Sequence, residues 1–382
     1  MLGIFKKFIP QRRDAVMCII LIAASAAAAF IPPYCKEEQP GRKEKAQVIS
    51  VDNSAVMNMG LLMRGSQMLE VKILSGKYKG QIFRASNELR ANMELDKMFA
   101  VDDIILVGIM HNADPASDTI NAQDYYRINY TLLLFALFAL LLIIFGGYTG
   151  FSALLSFVFS CLVIWKAVIP LTLQGYNAVA IALAAVILLS IVIILLVAGL
   201  TKKGVAALSG ALLGVFAAAF TGWIFTAMFK INGAIMPYAQ ALLHSGFEYL
   251  KLSDIYIGAI FLSSSGAVMD LAMDVASGIE ELALHNSKLG FRELFKSGIR
   301  MGRSVVGTMT TTLLLAYSGG YITLMMMFAA QGTSPFDFIN NPYVASEVVK
   351  TLVGSFGLVL VAPFTAFTSA FVFSRRSDIS NQ

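Results

Sequence analysis

Residues 178–199, AVAIALAAVILLSIVIILLVAG, carry no charged side chain. Such a run has few homes. About 20 apolar residues in a helix cross a hydrocarbon core roughly 30 Å thick, and there every backbone N–H and C=O must be satisfied internally. From Tyr130 onward similar runs recur, at 130–147, 149–170, 177–200, 204–229, 253–276, 304–328 and 348–373. An eighth, Ala15–Ile31, follows Lys6, Lys7, Arg12 and Arg13. It reads as a retained anchor near the lower length limit for spanning, with a cleaved signal peptide as the alternative. The reading is an α-helical multi-pass membrane protein of about eight transmembrane helices. A composition 57% hydrophobic and 14% charged excludes an ordinary soluble domain.

The charges set an orientation. Lys202 and Lys203 follow the fourth of eight spans, Lys288 through Arg303 the sixth, and Arg375 and Arg376 the last. With a cytoplasmic N-terminus all of these are cytoplasmic, as positive charge near membrane helices requires, and so is the C-terminus. The net charge of +5 is therefore a topology signal and no nucleic-acid footprint. Cys18 and Cys161 lie in apolar runs, so the three cysteines make no disulfide framework. The expected division is an anchor at 1–31, an extracytoplasmic β domain at 32–129, a seven-helix membrane domain at 130–376 and a cytoplasmic tail at 377–382.

Within the β domain, Ala46–Asp52, Leu69–Leu74, Gly80–Ala85 and Ile104–Ile109 are short strand-like runs, the last expected to close the domain. Gly76 and Gly80 flank a hairpin turn. These features predict a small β-barrel-like domain of the OB or SH3 type, a fold that by itself assigns no function. Ala234–Leu250 is too short to span and reads as a re-entrant or interfacial segment. Leu289–Arg303 sets Phe291, Leu294, Phe295 and Ile299 opposite Arg292, Lys296 and Arg300, as an amphipathic helix at the inner surface does. Gly210, Gly214, Ala218 and Gly222 form a face for close helix packing.

The sixth span holds SSSGAVMDLAMDVASGIEEL, residues 263–282. Helical periodicity sets Ser263, Gly266, Ala267, Asp270, Asp274, Ser277 and Glu281 on one stripe. A central Asp costs about 2.5–3.5 kcal/mol, and the apolar residues between Ile255 and Val275 return roughly 4 kcal/mol at best. The stripe must therefore face other helices, an ion or water. Like charges one turn apart oppose each other's ionisation, a property that suits a proton- or cation-coupled site. Two alternatives stand beside this: the pair pins neighbouring helices through hydroxyls, or the helix ends near Met269 and both Asp are wet. Glu280 and Glu281 are expected to be solvated or paired with the basic amphipathic helix. In the seventh span Thr310 and Thr311, with Ser263 and Ser264, supply candidate neutral oxygens. Ser318-Gly319-Gly320 is a candidate helix break of the kind found at transporter sites, and Pro363 removes a hydrogen bond from the eighth.

SSSGAVMDLAMDVASGIEEL together with MGRSVVGTMTTTLLLAYSGG resembles the signature of the YibE/F-like family of bacterial multi-pass membrane proteins, over about 130–375 and most strongly over 262–320. The resemblance implies a bacterial plasma-membrane location and supplies no substrate. Where the family pattern often has Asp after Gly302-Arg303 and Asn in the threonine cluster, this chain has Ser304 and Thr311.

The expected function is a secondary transporter or permease for an unidentified small solute or ion, with Asp270 and Asp274 as the proton or cation site and Ser263, Ser264, Thr310 and Thr311 in support. The alternative is a non-catalytic membrane scaffold or accessory subunit, as a homo- or hetero-oligomer. An enzyme is not expected: both Asp sit on one helix, and no H-E-x-x-H is present. No cofactor is expected, the partner is the lipid bilayer, and whether a metal binds is left open.

Overall fold

The computed structural model describes residues 18–19, 21–23, 25–27, 30, 41–110, 119–286 and 288–379, the side chains of 110, 119 and 375–379 excepted. The expected anchor at 1–31 is described only at those scattered positions. Cys35 and the end of the tail lie outside the described residues. Most of the chain is helical, and it separates into two compact units, Cys35–Leu141 and Met1–Tyr34 with Leu142–Gln382.

In the first unit, β1 (Gly41–Asp52), β2 (Val56–Met59), β3 (Leu62–Ile73), β4 (Ile82–Arg90), β5 (Ile104–Met110) and β6 (Thr119–Tyr125) form one sheet in the order β1-β5-β6-β4-β3-β2. A further antiparallel pairing of β1 with β3 closes five strands into a barrel, with β2 a hairpin arm on β3. The β4–β6 pair is parallel, which makes the barrel a Greek key of the OB kind. Period-two alternation sends Phe83 and Ala85 inward from β4, into one core with Val71, Ile73, Ile105 and Val107. Ile104–Met110 is not the last strand as expected: β6 follows it and supplies the parallel contact that the polar sequence TINAQDY does not advertise. The expected hairpin is present, with Gly76 (φ 69°) and Gly80 (φ 88°) left-handed and Gly80 N–H donating to the Ile73 carbonyl at 2.8 Å.

Inside this barrel one amide is wholly buried and wholly paired. Gln67 donates to Asn53 Oδ1 and the Phe99 carbonyl, each at 2.9 Å, and accepts from Asn87 Nδ2 (3.0 Å) and Phe99 N–H (3.1 Å). A buried polar group is tolerated on those terms, and here it ties the 91–103 connection to the wall.

The second unit is built from α1 (Ile128–Val163), which begins in the first unit, α2 (Ile169–Leu173), α3 (Ala178–Ala198), α4 (Lys202–Met228), α5 (Ala239–His244), α6 (Leu252–His285), α7 (Phe291–Gly319), α8 (Ile322–Ala330), α9 (Pro335–Asn340) and α10 (Pro342–Ile379). Among the described residues five helical stretches are long and apolar enough to cross a membrane: 128–173, 178–198, 202–228, 252–285 and 342–374. A sixth is added if α7 and α8, bent 66° at their junction, are one broken span. α1 is itself interrupted. Gly147 has φ 58° and ψ −128°, open only to glycine, and a Cβ on Gly150 would overlap the Leu142 carbonyl. Residues eight apart in a straight helix are separated by about 12 Å of rise, so the chain turns sharply there.

Close glycine contacts fix the relative directions of the helices. Gly210, Gly214 and Gly222 of α4 abut Thr365, Val361 and Val353 of α10, so these two run antiparallel through the expected small-residue face. Tyr256 and Val268 of α6 meet Ser346 and Gly357 of α10, so these run parallel. Gly298 and Gly302 of α7 meet Ile279 and Val275 of α6, antiparallel again.

Two expectations change. Leu289–Arg303 is no separate surface helix but the first half of α7, which continues unbroken to Gly319. Its apolar residues Leu294, Phe295 and Ile299 join the main helical core, so tertiary burial carries the amphipathic stripe straight into the span. Nor does the sixth span end near Met269, since α6 continues to His285. The expected break at Ser318-Gly319-Gly320 is present, and Pro363 sits inside a continuous α10.

Candidate functional site

α6 is enclosed on most of its circumference: Ile257, Phe261, Val268, Leu271, Ala272, Val275 and Ile279 are buried. One narrow stripe is different. Ala259, Ser263, Gly266, Asp270, Asp274 and Glu281 are exposed, and a Cβ on Gly266 would meet nothing within 4 Å. On one flank of the stripe lies α7, which reaches Ser263 through Tyr317 and Gly278 through Met301. On the other flank Leu262 joins a cluster with Phe159 and Val163 of α1 and Ala185 and Leu189 of α3. Asp270 and Asp274 look out between them. Among the described residues neither has a hydrogen-bond or ion-pair partner.

The structure gathers Ser263, Asp270 and Asp274 on this open face. The Tyr317 hydroxyl donates to Ser263 Oγ at 3.1 Å, and Ser263 donates to the Ile260 carbonyl at 2.8 Å. Ser264 is buried on the side facing Gly354 of α10. Thr310 and Thr311 give their hydroxyls to their own helix, at Val306 (2.8 Å) and Gly307 (3.1 Å), and bond to neither carboxylate. Glu280 is paired, but with Lys203 at the start of α4 (3.4 Å) and not with the basic half of α7. Among the described residues no three His, Cys, Asp or Glu side chains stand close enough to share a metal ion.

A second polar constellation lies where α7 breaks. Glu347 and Lys350, one turn apart on α10, approach to 4.0 Å, and the Glu347 side chain is only 12% exposed. The Lys350 ammonium rests 4.8 Å above the ring of Tyr317, and the Tyr321 hydroxyl reaches the Glu347 carboxylate. Glu347 Oε1 is buried and, among the described residues, has no hydrogen-bond partner. Beside it is a cavity of about 280 Å³ lined mainly by apolar and aromatic side chains, among them Leu314, Tyr321, Phe338, Tyr343 and Val348. Sequence reasoning missed this group because it began the last span at 348, which left Glu347 in a loop. The signal was available: α10 begins at Pro342, so both charges fall within an apolar helix.

A family model described as YibE/F-like protein matches residues 134–375, and one described as YibE/F family N-terminal domain matches residues 41–125. No curated protein and no solved structure matches the chain.

Proposed function

The chain belongs to the YibE/F-like family, and we propose that it is a secondary transporter or permease of the bacterial plasma membrane in which Asp270 and Asp274 form a proton or cation site. The observation that carries this is the open stripe of α6. Two carboxylates, unpartnered among the described residues, occupy an exposed face of a helix otherwise largely buried among its neighbours. Lipid against that face would cost about 2.5–3.5 kcal/mol per Asp at mid-depth, so the face is hydrated or holds a cation. Ser263 and the Tyr317 hydroxyl extend the polar lining by two turns. The break between α7 and α8 adds the discontinuous helix that such sites commonly use.

In this reading the two arms of α1 are separate spans, the segment at 15–31 is an anchor and the bent α7–α8 pair is one span, which makes eight. Both termini are cytoplasmic and the barrel is extracytoplasmic. The alternating directions of α4, α6, α7 and α10 agree with that count, as does the pairing of Glu280 with Lys203 on the side assigned to the cytoplasm. Thermal unfolding of the wild type, Asp270→Asn and Asp274→Asn across pH and a panel of monovalent and divalent cations tests the site. A ligand of the folded state at 100 times its Kd adds about 2.7 kcal/mol. The expected result is a cation- or pH-dependent midpoint in the wild type that is lost in both variants. Equal responses in all three proteins overturn the transporter reading. Attention then passes to a scaffold whose open stripe seats another helix.

A further inference from the structure

We propose that one end of the β-barrel is a membrane-docking surface, whose exposed methionine and leucine side chains sink into the boundary between headgroups and acyl chains of the bilayer that α1 crosses. This rests on α1 being a span. It does not depend on the Asp270–Asp274 face or on which side of the membrane the barrel occupies.

Strand register brings the parts together. Arg64, near the start of β3, pairs with Arg90 at the end of β4, and β6 runs parallel to β4. The start of β3 and the ends of β4 and β6 therefore share one end of the barrel. The connection 91–98 is fastened across that end. Asp96 accepts from the N–H groups of Arg90 (3.0 Å) and Asn92 (2.7 Å), and Lys97 pairs with Asp124 at 3.0 Å. The Tyr125 hydroxyl donates to the Met98 carbonyl at 2.7 Å. Just beyond Tyr125, α1 begins at Ile128, so a helix long and apolar enough to cross a membrane leaves from this end. Arg127 and Tyr130, both exposed, flank that point, and they are residue types that gather where a helix enters the headgroup layer.

The same end carries an apolar surface. Met57 and Met59 on the β2 arm, Leu61 at its tip, and Met93 and Leu95 on the connection are 59–85% exposed. Between arm and connection lies a depression of about 270 Å³, with Leu62, Met63, Leu89 and Met98 in its wall. The opposite end is different: the β3–β4 turn exposes Lys77, Lys79 and Gln81, with Ile82 the one exposed large apolar side chain beside it among the described residues.

A contiguous exposed apolar patch marks a protein partner or a membrane. The position of α1 selects the membrane, because the patch sits where the chain itself enters lipid. Methionine suits that boundary, since its unbranched thioether side chain adapts to a surface without fixed shape. The charges at this end are spent on one another, Glu88 on Arg90 and Asp124 on both Lys97 and Arg127. Apolar burial therefore drives docking, as it does for amphipathic helices that sink about 5–10 Å into the same boundary, and anionic headgroups are not required.

The full chain, with Cys18, Cys35 and Cys161 replaced by Ser, is labelled with a nitrobenzoxadiazole fluorophore at Leu61→Cys, Met93→Cys or Lys79→Cys and reconstituted in phosphatidylcholine nanodiscs. Cys18 is buried and stays in place if its replacement impairs folding. Quenching by a phosphatidylcholine spin-labelled near its headgroup is compared with quenching by aqueous iodide. Labels at 61 and 93 should be quenched about threefold more by the lipid, and about threefold less by iodide, than the label at 79, as burial in the boundary requires. Added phosphatidylglycerol should change neither ratio. Iodide access at 61 and 93 equal to that at 79, without lipid quenching, leaves this end in water and overturns the proposal. Shielding from both quenchers overturns it as well, because a protein surface of this chain or of a second copy then covers the patch. Lipid quenching that appears only with phosphatidylglycerol replaces apolar insertion by headgroup attraction and overturns it too.

Discussion

Gly210 and Gly266 are both helical glycines, and the bundle treats an added Cβ at each in opposite ways. At Gly210 a methyl group would overlap Thr365 of α10, backbone included; at Gly266 it would meet open space. Overpacking a close helix contact typically costs 1–3 kcal/mol, whereas Ala for Gly in an open helical position gains about 0.5–1 kcal/mol. Gly210→Ala should therefore lower the thermal midpoint and Gly266→Ala leave it unchanged or raised. Equal damage from both would mean that the face bearing Asp270 and Asp274 is covered in the working protein. The same scale holds what sequence reasoning read correctly and what it missed. The stripe of Ser263, Asp270 and Asp274 follows from helical periodicity alone and is present as a single face. The partner of Glu280 does not follow from periodicity, because Lys203 lies on a helix whose neighbour is chosen by packing.

The barrel offers the clearest pH dependence among the elements. Burial disfavours the charge on Asp124, but the Lys97 ammonium (3.0 Å), the Tyr125 N–H (2.7 Å) and the Arg127 guanidinium (2.7 Å) outweigh it and hold the carboxyl below its usual 3.8. Asp96 is lowered too, where a small burial penalty is outweighed by the N–H groups of Arg90 and Asn92. A folded-state pKa below the unfolded one gives a contribution that is present above about 3.8 and lost as pH falls through the lowered value. The barrel's thermal midpoint should therefore fall with acidification below about pH 4, and Asp124→Asn should flatten that part of the profile. A profile unchanged by Asp124→Asn would assign the acid sensitivity to other groups. In the helical unit, the amphipathic period of 289–303 predicted a helix but not its continuation. Leu294 and Ile299 find the same core as Val305 and Met309, so one rod serves both stretches until Gly319 and Gly320, where no side chain favours another turn.

At the scale of the whole molecule, the glycine contacts together with the Tyr256–Ser346 hydrogen bond settle that α4 and α7 run against α6 and α10. Ser245 and Asn286 therefore lie beyond opposite ends of α6. In a chain with Cys18, Cys35 and Cys161 replaced by Ser, an impermeant maleimide applied to intact spheroplasts should label Ser50→Cys and Ser245→Cys. Asn286→Cys should react only after permeabilisation. Labelling of Asn286→Cys from outside would invert the proposed orientation, and a mismatch between Ser50→Cys and Ser245→Cys would break the count of spans. By itself the sequence determined the membrane class, the barrel ahead of the helices, the carboxylate stripe and the glycine break. Each of these rests on composition or on a local period of two or 3.6 residues, which survives whatever the chain packs against. Only the tertiary structure decided which face of α6 stays open, that β6 lies parallel to β4, and that Glu347 stands beside an aromatic cavity at the break. Those depend on contacts between residues far apart in the chain, and no local pattern encodes which distant surface arrives.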